Sequence, residues 1–289
     1  MSDEPSPPIR TAPTRRLADE WALVLTSQEL HPAIRRTRDG FDLAVPDAER
    51  ERADAVLIAY ARENPPTPPP QELPPPTNLV AGALLSLAWI AFFRVTGPRD
   101  PMTEWFARGS ADAARILAGE VWRASTALTL HADLGHALGN ALAGTLFVGS
   151  VFGALGIGLG LAIVVCAGVL GNLANAVFHA AQHSSVGAST AIFGAVGVLA
   201  ALGVGRHRRL GLAGRRALAP IAAGLALLAM LGTSERADLS GHLFGLIAGV
   251  LLGIPCAQVP LARPGPLAQW LFGVGALAWL WSSWIAALP

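Results

Sequence analysis

Three polar clusters interrupt the apolar runs of this 289-residue chain, and they carry the side chains of nucleophilic catalysis. The first is "HADLGHALGN", residues 131–140, where His136 and Asn140 stand at i and i+4 and share one face of any helix that begins near Asp133. The second is "SSVGASTAIFGAVG", with Ser189 after Gly187-Ala188 at the head of an apolar stretch. Glycine there permits a tight turn and leaves the hydroxyl uncrowded, and Ser189, Phe193 and Gly197 fall on one helical face. The third is "DLSGHLFGLIAGVLLG", in which His242, Gly245 and Gly249 line up so that the glycines allow a neighbouring helix to approach closely. A serine at the top of one helix and a histidine at the top of another are the parts of a nucleophile and its general base. Taken singly, each residue has a plainer explanation. A lone serine at a helix start is usually an N-cap, and a lone histidine near an interface is usually solvated.

Holding such groups in place falls to a membrane scaffold. The chain is 52% hydrophobic and 14% charged, with net charge +1 and a mean hydropathy of +0.46. A soluble domain carries about a quarter charged residues, and so balanced a charge gives no reason to expect nucleic acid as a partner. The only cysteines, Cys166 and Cys256, lie in apolar runs and suggest neither a disulfide framework nor a metal pair. "MSDEPSPPIRTAPTRR" has no apolar signal-peptide core, so insertion is expected to rely on internal segments.

The expected organisation is an all-α polytopic membrane protein with a small soluble N-terminal α+β module. Residues 1–16 read as a disordered tail and 17–64 as the module, with "EWALVLTSQ" strand-like and two strands about Asp39-Gly40. Asp47 offers an N-cap to the helical pattern that follows. Residues 65–77, "PPTPPPQELPPPT", read as a semi-rigid linker. Spans are expected at 78–96, 133–153, 155–180, 189–205, 216–234, 238–257 and 267–286, since only helices satisfy their backbone in lipid. Residues 78–257 form the core, and 258–289 a linker with a seventh helix. The half-polar stretch 98–123 reads as helical pieces at the interface. Arg206, Arg208, Arg209, Arg215 and Arg216 mark the loop after the fourth span as cytoplasmic, which places the N-terminus inside and the C-terminus outside.

In order and spacing these residues resemble the rhomboid family of intramembrane serine proteases. Trp122-Arg123, then His131, His136 and Asn140, then Gly187-Ala188-Ser189, then His242 with Gly245 and Gly249 follow the family pattern. The resemblance implies a six-helix core with Ser189 as nucleophile and His242 as general base. His136 and Asn140 would be oxyanion-stabilising side chains, and His131 would order the loop above them. Phe193 stands where the family has a tyrosine packed on the catalytic histidine. Thr190 replaces a customary glycine and is expected to narrow the oxyanion hole or alter substrate preference. Implied partners are transmembrane-helix protein substrates in the lipid bilayer of the cell (inner) membrane, with no cofactor and no metal. Asp238 is read as a helix cap rather than a third catalytic group, Ser184 and Ser185 as loop residues, and Asn172 and Asn175 as interhelical hydrogen bonds.

Two alternatives differ in class. One is a non-catalytic rhomboid-like protein that binds transmembrane helices. The other is a histidine-rich metal- or haem-binding membrane protein, with His179 and His183 at i,i+4 on the third span and His131 and His136 as further ligands. No HExxH motif and no carboxylate within the spans point to a zinc protease.

Overall fold

A computed structural model describes residues 7–64, 77–180, 183–211, 218–231, 238–258 and 264–288. Contacts divide the chain into two units, Met1–Gln71 and Glu72–Pro289.

In the first unit, strand β1 (Arg10–Ala12), helix α1 (Arg15–Ser27), strands β2 (Ala33–Arg36) and β3 (Phe41–Ala44), and helix α2 (Arg50–Glu63) follow in order. The sheet is antiparallel with order β1-β3-β2, and its core gathers Leu25, Leu43, Ala53 and Leu57. Three expectations are corrected here. Residues 10–12 of the supposed tail pair with β3. The "EWALVLTSQ" segment is helix, because the Thr14 hydroxyl accepts the Leu17 N–H and Ala18, Trp21, Ala22 and Leu25 repeat at helical spacing toward the core. Asp47 opens a short 3-10 turn instead of capping α2, and the Glu49 carboxylate is taken by the backbone N–H and ring of His31. The two strands about Asp39-Gly40 form as expected.

The second unit is helical. Its long helices are α3 (Leu79–Thr96), then, after the short α4 (Glu104–Gly109), α5 (Ala113–Leu117) and α6 (Arg123–Thr126), α7 (Leu134–Leu155), α8 (Ile157–His179), α9 (Ser189–Arg209), α10 (Ala219–Leu231), α11 (Leu239–Gln258) and α12 (Pro266–Ala287). Six of them are long and apolar enough to cross a membrane among the described residues. The exception is α10, whose described part lies inside the expected span 216–234, the ends of which fall outside the described residues. Most of the expected linker 65–77 also lies outside them.

Helix α9 is the most enclosed and packs against α7, α8, α10 and α11. Small residues permit this. Gly144 of α7 receives the Trp89 ring of α3, and the Ser86 hydroxyl of α3 donates to the Ala141 carbonyl of α7 at 2.7 Å. Helix α12 packs on α8, where the Gln269 amide donates to the Leu155 carbonyl and accepts from the Leu159 N–H. It also reaches the 97–132 segment through Trp279 Nε1 to Ser125 Oγ at 2.8 Å. The short helices expected over 98–123 are present; Phe106, Ile116 and Arg123 turn into the protein, while Met102, Leu117 and Val121 are exposed. Strand β4 (Ala111–Asp112) of the same segment pairs with β5 (Ser184–Ser185), so those two serines serve as backbone for the loop that leads to α9.

Candidate active site

Ser189 is the first residue of α9, and His242 sits in the first turn of α11. The Ser189 Oγ and His242 Nε2 are 2.9 Å apart. Glycines bring the two helices this close. A Cβ on Gly245 would collide with the Thr190 carbonyl, and one on Gly249 with that of Gly194. Both helices therefore touch through backbone, which sets the separation of the side chains above them. Phe193, one turn below Ser189, stacks on the His242 imidazole with ring centroids 4.6 Å apart and 24° between planes.

With the Ser189 hydroxyl donating to Nε2, the His242 proton lies on Nδ1, and Nδ1 is buried with no hydrogen-bond partner among the described residues. Asp238 does not supply one. Its carboxylate accepts the Gly241 N–H as a helix cap and is otherwise engaged with Asn175, His183 and Ser240. The arrangement is a serine–histidine pair with a ring stacked beneath it.

His136 and Asn140 lie in the first turns of α7. The Asp133 side chain caps this helix by accepting the His136 N–H at 2.8 Å. His136 Nδ1 accepts the Ala132 N–H at 3.3 Å, so its proton belongs on Nε2. Gly187 has φ +132°, a conformation strained for any other residue, and a Cβ there would sit 2.7 Å from His136 Nε2 and 3.5 Å from Ser189 Oγ. The Nε2–H donor and the serine hydroxyl thus flank one position. The Asn140 amide is buried and donates to the His136 carbonyl at 3.0 Å, on its own helix.

Thr190 departs from the expectation that it narrows this space. Its side chain is buried between α8 and α11, where its Cγ2 lies against Gly171 and Gly245. The methyl fills the notch that those two glycines leave.

Trp122, Arg123 and His131 belong to the loop above. Arg123, 1% exposed, pairs with Glu120 at 2.7 Å and donates to the carbonyls of Ser110 and Ala107. One planar fork thereby ties α4, the turn before β4 and the start of α6. Removing it leaves the buried Ser110 carbonyl, the part-buried Ala107 carbonyl and the half-buried Glu120 carboxylate without this partner, so Arg123→Ala is expected to destabilise the fold by about 2–4 kcal/mol. Thermal unfolding in detergent measures this, and Arg123→Lys should recover little of the loss because an ammonium lacks the fork. His131 is fully buried between the rings of Trp89 and His136. Burial, assisted by neighbouring His136 and opposed by the Thr129 backbone, pushes it down to about 4, so it is neutral at physiological pH.

Asn172 and Asn175 make the expected hydrogen bonds, to the Ala124 carbonyl and to Asp238. His183 is not on the third span, as α8 ends at His179, yet the two rings still stack at 4.2 Å. Neither meets His131 or His136, which lie on the α7 side of the bundle, so the four-histidine ligand set does not assemble. What the spacing missed is the link from His183 to Asp238, which joins two loops far apart in sequence.

The rhomboid domain matches residues 118–259, about half of the chain and all of α6 to α11. The chain belongs to the rhomboid family. "Putative rhomboid protease YdcA" of Bacillus subtilis (strain 168) is 29% identical over 176 residues, covering 61% of this chain and 86% of the relative. "Rhomboid protease GluP" of the same organism is 33% identical over 184 residues, 60% of this chain but only 34% of the relative. Together with its apolar helices, the rhomboid domain makes the chain a multi-pass membrane protein. The domain match begins after α3, later than the expected start of the core at residue 78.

Proposed function

We propose that this rhomboid is an intramembrane serine endopeptidase that cleaves peptide bonds in or near the transmembrane helices of membrane-protein substrates. The observation that carries the proposal is the 2.9 Å contact between the Ser189 hydroxyl and the Nε2 of a stacked, buried His242.

His242 Nε2 accepts the hydroxyl proton as Ser189 Oγ bonds to the scissile carbonyl carbon. The carbonyl oxygen becomes an oxyanion beside Gly187, where the His136 Nε2–H donates to it together with the free N–H of Ser189 at the start of α9. The C–N bond then breaks, and the imidazolium delivers its proton to the leaving amine. Water attacks the acyl-enzyme by the same route, losing a proton to His242, and Ser189 leaves with that proton restored. In this reading Asn140, one turn along α7 from His136, is a further side-chain donor to the oxyanion. Accordingly, His136→Ala should lower the cleavage rate by about 10²–10³-fold, since one such donor is worth that much. Assays at saturating and limiting substrate check that kcat falls while KM changes little.

Ser189 begins α9, and Arg206, Arg208 and Arg209 end it. With those arginines cytoplasmic, the site opens on the outer side of the cell membrane, the N-terminal unit is inside and the C-terminus outside. The test is labelling with a serine-directed fluorophosphonate, followed by peptide mapping, in parallel with cleavage of a single-span substrate in liposomes. Modification at Ser189 with loss of cleavage supports the protease. Cleavage that survives full labelling would place the nucleophile elsewhere, and no cleavage of several substrates favours a rhomboid-like protein that only binds transmembrane helices.

A further inference from the structure

Beyond the serine–histidine pair, the described residues hold one concentration of metal-ligating groups: His179, His183 and Asp238. One ring nitrogen from each histidine and one carboxylate oxygen lie within 4.8 Å of one another. His179 closes α8, His183 follows it in the loop, and Asp238 immediately precedes α11. We propose that these three side chains bind a divalent transition-metal ion of the zinc class, joining the end of α8 to the start of α11. The proposal is independent of the protease assignment.

The donor set suits that ion. Two imidazoles and one carboxylate are the ligands of a tetrahedral zinc site with a fourth position left for water or the Ser240 hydroxyl. Ser240 Oγ is already 2.8 Å from His179 Nε2. The carboxylate is held in place by a second layer, as metal ligands usually are. Its Oδ1 accepts from the Gly241 N–H at 2.9 Å and from Ser240 at 3.0 Å, and its Oδ2 accepts from Asn175 at 2.8 Å. The two imidazoles are stacked, 4.2 Å apart with 15° between their planes, so an ion that takes one in-plane nitrogen lone pair from each requires the rings to turn out of the stack toward Asp238.

Charge is favourable on balance. The carbonyl end of α8 attracts a cation, whereas the N-terminal end of α11 repels one, and Asp238 offsets the latter with a full negative charge at the cap. The same groups without metal make an ordinary hydrogen-bond network, with His183 Nε2 at 2.9 Å from Asp238. Metal affinity distinguishes the two. A bound ion would clamp α11 one turn before His242, whose N–H is donated to the Asp238 carbonyl.

The experiment uses the full chain in detergent after treatment with a chelator. Cobalt(II) is titrated while visible absorption is followed, zinc is then added in competition, and unfolding is monitored with and without zinc. One equivalent of tetrahedral cobalt, displaced by zinc, and a zinc-dependent rise in Tm are expected. His179→Gln, His183→Gln and Asp238→Asn should each weaken binding by about 10²-fold or more, given that loss of a mere supporting partner costs 10–100-fold. His31→Gln, at the exposed imidazole–carboxylate pair with Glu49 in the first unit, should leave it unchanged. Absence of the cobalt spectrum in the wild-type chain overturns the site whether or not the variants fold. So does a spectrum that survives all three substitutions or disappears with His31→Gln.

Discussion

Ser189→Ala and His242→Ala are each expected to reduce cleavage of a single-span substrate by about 10³-fold or more, while leaving helical content and Tm nearly unchanged. That factor corresponds to about 4 kcal/mol of transition-state stabilisation. It is large because each residue is useless without the other: an alkoxide does not form without the base, and the base has nothing to activate without the hydroxyl. The double variant should therefore be no slower than either single one. Folding should survive because the helix contacts beneath the pair are made by Gly245, Gly249 and Thr190, not by the two reacting side chains. Gel-based cleavage in liposomes reads the effect, with near-ultraviolet and far-ultraviolet dichroism as the folding control. Wild-type rates in both variants would place the nucleophile elsewhere.

What a linear pattern carries explains which expectations held. Ser189, Phe193 and Gly197 on one face, and His242, Gly245 and Gly249 on another, are consequences of helical period alone. They predicted the close glycine contacts between the helices, whereas the packing of Phe193 on His242 was implied by the family resemblance. The membrane helices were legible because lipid allows one backbone solution to a long apolar run. The N-terminal unit was harder to read, because short amphipathic segments are decided by their partners. Helix α1 looked like a strand until Thr14 and the sheet-facing positions Ala18 and Leu25 were seen together. The expectation that Thr190 narrows the oxyanion hole failed for a related reason. Its position next to the nucleophile suggested an effect on the oxyanion, whereas the direction of its side chain depends on where Gly171 and Gly245 make room. Asp238 was correctly read as a cap, but its partners His183 and Asn175 come from another helix end that local spacing does not specify.

That dependence on space rather than residue type leads to the second large effect, Gly245→Ala. The new methyl would sit 2.1 Å from the Thr190 carbonyl oxygen and 3.1 Å from the Thr190 Cγ2. Backbone cannot rotate out of the way as a side chain can, so α9 and α11 must separate. Overpacking of this kind costs about 1–3 kcal/mol. The catalytic cost should be greater, because Thr190 directly follows Ser189 and Gly245 lies one turn below His242, so the displacement acts on both members of the pair. A shift of about 1 Å in reacting groups lowers rates by about 10²-fold. The expected outcome is therefore a folded protein, modestly lowered in Tm, whose cleavage rate drops by about that factor. Thr190→Gly in the same chain should not restore it, since the obstructing atom is the carbonyl oxygen. Gly275→Ala in α12, where a Cβ meets nothing within 4 Å, should leave the rate unchanged and not lower Tm, because alanine is the better helix former by about 0.5–1 kcal/mol. If Gly245→Ala cleaves like wild type, the spacing between α9 and α11 is not what holds Ser189 against His242.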